Sequence, residues 1–96
     1  MRRLKLTSGT RDFAGLKELR EFRGELVQTI QSLADAFDSR KAKRDAGDET
    51  VPLWEGDEEQ RFTAAGDDLK AVDAAIAEEN RSLDIAATRA AAGQLP

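Results

Sequence analysis

Apolar residues recur along the first half of the chain at Leu16, Leu19, Leu26, Ile30, Leu33 and Phe37, with Arg23 at the one seam place left polar. The steps alternate three and four, which is the period of a helical seam and not the two-residue period of a strand. They predict a helix over about 12–46, with Ser8, Thr10 or Asp12 as candidate N-caps. The basic run Arg40, Lys41, Lys43, Arg44 suits the negative end of its dipole, and Gly47 suits a left-handed residue just past its end. A second seam runs through Phe62, Ala65, Leu69, Val72, Ile76, Glu79, Leu83, Ala86 and Ala90. It predicts a helix over about 57–92, opened by Asp57 and Gln60 as a capping box. Between the two, residues 47–56 read as a loop, because Pro52 forbids a continuous helix. Residues 1–11 show no sustained period and read as a flexible basic arm, and residues 93–96 as a linker-like tail.

The two seams fit one another. Folding the chain at Thr50–Val51 sets Phe37 against Ala65, Leu33 against Leu69, Ile30 against Val72, Leu26 against Ile76, Leu19 against Leu83 and Leu16 against Ala86. The two polar seam positions, Arg23 and Glu79, then meet as a register pair. The expected fold is all-α, a long antiparallel two-helix hairpin of coiled-coil type, roughly 50 Å long at 1.5 Å per residue. The packing set is Leu16, Leu19, Leu26, Ile30, Leu33, Phe37, Phe62, Leu69, Val72, Ile76 and Leu83. A core of two stripes contributes only about 3–5 kcal/mol. Phe13, Phe22, Val27, Trp54 and Ile85 lie off the seam and form a candidate oligomer surface, through which hairpins self-associate into a helical bundle.

Composition narrows the chemistry. With 96 residues there is room for one small domain. The chain has no Cys and no His, which removes disulfides, thiolate zinc sites, cysteine nucleophiles and the Ser–His–Asp relay. Neighbouring carboxylates at Glu58–Glu59, Asp67–Asp68 and Glu78–Glu79 point about 100° apart on a helix and make no facing acid–base dyad. They read as dipole compensation and solvated surface. Asp45, Asp48 and Glu49 lack the order of a calcium loop, and no phosphate-binding glycine motif occurs. No enzyme, metal or cofactor is expected. No apolar stretch reaches the roughly 18 residues of a membrane span, so no membrane partner is expected either.

The net charge of -4 hides an asymmetry. Residues 1–46 hold eleven Lys/Arg and seven Asp/Glu, while residues 47–96 hold four and twelve. Attraction between the halves accounts for it, with the basic run at 40–44 facing Asp57, Glu58 and Glu59. No aromatic residue is interleaved with that run, so no nucleic-acid partner is expected.

The stretch "LKELREFRGELVQTIQSLADAF", a charged loop, and "DEEQRFTAAGDDLKAVDAAIAEENR" resembles the N-terminal scaffolding (delta) region of tailed-phage major capsid proteins of the Hong Kong ninety-seven type. Glu58, Glu59, Phe62, Leu69, Val72 and Ile76 occupy the places of that region's second helix, and the likeness spans about four fifths of the chain. It implies a capsid-assembly role inside the immature capsid, in the host cytoplasm. The implied partners are further copies of itself, a capsid shell domain and a maturation protease that later removes it. The 96 residues hold no shell domain, which is where this sequence departs from the family pattern. The alternative reading is a coiled-coil adaptor that captures one partner helix in a regulatory complex.

Overall fold

The computed structural model describes residues 1–93, and the expected tail lies outside them apart from Gly93. Two strands precede two long helices: β1 (Arg2–Leu6), β2 (Gly9–Phe13), α1 (Leu16–Asp45) and α2 (Glu58–Gly93). The helices fold back on each other, and the molecule measures 74 × 26 × 15 Å. No helix among the described residues is long and apolar enough to cross a membrane.

The N-terminal arm is not a free tail, and the fold is not all-α. β1 and β2 form an antiparallel hairpin, pairing Arg2 with Phe13, Leu4 with Arg11 and Leu6 with Gly9. The cause is local. Leu4, Lys5 and Leu6 alternate with the strand period, and Thr7-Ser8-Gly9 supplies a turn. Among the described residues only glycines have a positive φ, so the reversal falls on Gly9, at φ 129°. Leu4, Leu6 and Phe13 are buried in the core. A lone two-stranded hairpin is marginal in water, and docking against the helices is what holds this one.

Because β2 runs to Phe13, α1 starts at Leu16 rather than near Asp12, and Ser8, Thr10 and Asp12 do not cap it. Its N-cap is Gly15, which offers no side chain, and Glu18 reaches back to accept from the Ala14 N–H. The helix ends in a Schellman motif. The Asp48 N–H donates to the Lys43 carbonyl and the Gly47 N–H to the Arg44 carbonyl, with Gly47 at φ 111°. At the start of α2 the reaching carboxylate is that of Glu58, which accepts from the Glu55 N–H at 2.8 Å, in place of the expected Asp57–Gln60 box.

The helix interface sets large residues against small ones. On α1, Leu19, Leu26 and Leu33 are buried at seven-residue spacing. On α2 the buried positions are Ala65, Asp68, Val72 and Ala75, while Leu69 and Ile76 are half-buried beside them. The inner stripe of α2 is therefore rotated toward Asp68 and Ala75 relative to the seam drawn from periodicity. α2 is packed by β1 as well as by α1, so it carries a broader buried face than a two-helix seam needs.

The register is also displaced. Arg23 bonds Asp73 at 2.6 Å, six positions short of Glu79, and Arg40 bonds Glu58 where the seam rule set it near Phe62. Glu79 pairs instead with Arg2 of β1. The Arg23–Glu79 pairing is thus overturned. A half-exposed ion pair of this kind is worth about 0–1 kcal/mol, too little to dictate register against the packing of Leu19, Leu26 and Val72. Leu83, the expected partner of Leu19, is 58% exposed, and Leu19 is buried instead in one cluster with Leu4, Leu6 and Phe13 of the β-hairpin.

Candidate functional site

Three places gather side chains whose arrangement exceeds plain helix packing. At the first, Asp68 lies inside the fold, 8% exposed, where its stripe position three residues after Ala65 puts it. Its carboxylate accepts from the Thr7 N–H at 2.8 Å and from the Thr7 hydroxyl at 2.9 Å. A buried charge needs such partners, and these two tie the β-turn to the first third of α2. Further along, Arg2 clasps Glu78 and Glu79. Arg11 lies over the rings of Phe22 and Phe13, 4.5 and 5.1 Å from their centroids. Strand and turn are thereby fastened to α2 at two points and to α1 at a third.

The second place closes the interhelix loop. Trp54 stands between Phe37 and Phe62, with ring centroids 4.8 and 5.5 Å away, in the tilted geometry aromatic pairs favour. Arg40 binds Glu58 and Glu55 and donates to the Leu53 carbonyl at 3.2 Å. The hydrogen bond from Arg40, aided by that from the Glu55 N–H, holds the Glu58 carboxyl below the usual range. Of the basic run at the end of α1, Arg40 alone is neutralised in this way among the described residues. Lys41, Lys43 and Arg44 face solvent.

The third place is the end of α2. Every position from 81 to 93 is exposed, because α1 and the strands both stop at the level of Glu79. The overhang is rich in alanine, with Leu83 and Ile85 58% and 57% exposed. Alanine's helix propensity lets such a segment stay helical without tertiary cover. An open, mainly apolar groove runs along Arg81, Asp84, Ile85, Thr88, Arg89 and Ala92.

The candidate oligomer surface is largely consumed inside the fold. Phe13 is fully buried and stacks on Phe22, 5.5 Å between centroids. Phe22 packs against the core, Trp54 sits in the aromatic stack and Val27 is half-buried. Only Ile85 remains open. Of the packing set, Leu16, Ile30, Phe37, Phe62, Leu69 and Ile76 are half-buried, Leu19, Leu26, Leu33 and Val72 are buried, and Leu83 lies outside the interface. Sequence reasoning missed Asp68, Thr7, Arg2 and Arg11. The Leu4-Lys5-Leu6 alternation before Thr7-Ser8-Gly9 carried the signal for the hairpin, and the placement of Asp68 between Ala65 and Val72 carried the signal for its burial.

Among the described residues no cluster of three or more metal-capable side chains occurs. Comparison with protein-family models, with curated proteins and with solved structures returns no match to this chain. The fold defines a class of shape: a two-helix hairpin braced by a β-hairpin, with one helix running on past its partner.

Proposed function

We propose that this chain is a non-enzymatic scaffolding module. Its copies associate, as coiled-coil hairpins gathered into a bundle, to guide assembly of a viral procapsid, and are later removed by proteolysis. One observation carries the reading: α2 continues as an exposed, alanine-rich helix beyond the body of the hairpin. Unpartnered length of this kind serves contact with other copies, and many weak contacts gain strength when held together on a shell while each stays breakable. The capsid context rests on the resemblance of residues 16–92 to the delta region. Two tests bear on it. Sedimentation velocity across concentration is expected to show reversible association, and a monodisperse monomer up to millimolar concentration removes the scaffolding claim. The coding sequence beyond Pro96 is expected to run on into a shell domain or adjoin a capsid gene. A stop codon with no capsid gene nearby leaves the capsid context without support.

A further inference from the structure

Resting on that reading, we infer that the overhang of α2 is itself the contact between copies, and that it pairs in parallel with the same segment of a second copy along the Ile85 groove. Ile85, Thr88 and Ala92 share one stripe of the helix, in steps of three and four. Asp84 and Arg89 flank this stripe on opposite sides, and both line the groove. In two parallel helices, a residue on one flank faces the opposite flank of its partner five positions further on. Asp84 of each copy therefore meets Arg89 of the other, and the two-fold axis makes the pair twice. Antiparallel pairing along the same stripe sets Asp84 beside Ala91 and Arg89 beside Ser82, so neither charge is answered. Charge complementarity thus selects both the partner and its direction.

The groove also has a defined start. Glu78, on the same stripe, is taken by Arg2 of its own chain, and Arg81 repels its counterpart in the second copy. Contact begins at Asp84 and runs over about two turns, far less than the roughly 800 Å² per partner of a stable pair. The result is a weak contact that becomes effective only when many copies are held side by side.

The chain has no cysteine, so one introduced thiol reports on geometry. In the 96-residue chain, Ala92→Cys places two thiols across the seam of the parallel pair, whereas an antiparallel pair holds them roughly 16 Å apart along the axis. Leu83→Cys lies on the opposite side of the helix and is the control. Under mild oxidation, Ala92→Cys is expected to form disulfide dimers at least about tenfold faster than Leu83→Cys. Adding Asp84→Arg is expected to reduce the rate to the control's level, and adding Arg89→Asp to that variant to restore it. Circular dichroism of each variant checks that the helices persist. Equal rates at Ala92 and Leu83, or rates indifferent to the charge changes, overturn the inference. If the unmodified chain still associates in the centrifuge, self-association stands and another surface mediates it. Absence of association at every concentration removes both.

Discussion

Asp68 is the residue on which the hairpin's attachment turns. It is a buried carboxylate satisfied by one backbone N–H and one hydroxyl, and removing it takes from the Thr7 N–H and hydroxyl their shared acceptor. Asp68→Ala is expected to lower stability by about 1–3 kcal/mol in chemical denaturation. Thr7→Ala keeps the backbone donor and is expected to cost about 0.5–1.5 kcal/mol, with the two effects coupled rather than additive because the groups touch. At the loop end, Glu58 gives a second test. Its carboxyl is held low by Arg40 and by the Glu55 N–H. Asp48 is also held low, by the Thr50 hydroxyl and N–H. A depressed carboxyl contributes stability above its unfolded pKa and loses it as pH falls through the folded value. The loop end is therefore intact at neutral pH and loosens only below the usual carboxylate range. Trp54 is the sole tryptophan, so its emission reads this event directly. The expected result is a red shift on acidification, with the Glu58 part of it absent from Glu58→Gln. An unchanged titration in that variant sinks the assignment.

Between elements, register decides which apolar residues count. Leu19 is 0% exposed and Leu83 is 58% exposed, although their places in the two seams look equivalent. Leu19→Ala is expected to cost about 2–5 kcal/mol, whereas Leu83→Ala is expected to stay within about 0.5 kcal/mol of the parent. Equal costs restore the pairing of Leu19 with Leu83 and overturn the observed register. The ion pairs distinguish the registers in the same way. Double-mutant cycles are expected to find coupling between Arg2 and Glu79 and none between Arg23 and Glu79. The β-hairpin explains the displacement. It occupies the side of α2 marked by Asp68, Ala75 and Glu79, so the chain meets three elements where periodicity shows two, and the inner stripe of α2 turns to serve both neighbours.

As a whole, the molecule is a rod with one unguarded end. Its radius of gyration is 19.8 Å, against about 12.5 Å for a compact domain of this length. Small-angle scattering at low concentration is expected to recover the elongated form, and a compact particle contradicts it. The overhang buries no side chain, so its backbone hydrogen bonds are guarded only by helix propensity. Amides over 81–93 are expected to exchange fast, with opening free energies near zero, while those around Leu26 and Val72 exchange only through global unfolding. Protection that appears over 81–93 as concentration rises then marks association at this end, on the timescale that exchange reads.

The seam spacing by itself determined that two long helices form, that a break falls between them, and that Gly47 ends the first, because helix period, proline and glycine act through the local chain. It also held, unread, the strand alternation of Leu4 to Leu6. Register, and hence the fate of Arg23, Glu79 and Leu83, was decided only by tertiary structure, since an ion pair at a wet edge is too weak to choose between alignments that differ by a turn. The burial of Asp68 and Phe13, and the exposure of α2 beyond Glu79, follow from where a third element comes to rest. No period in one chain segment records that, because it depends on which surfaces of distant segments meet.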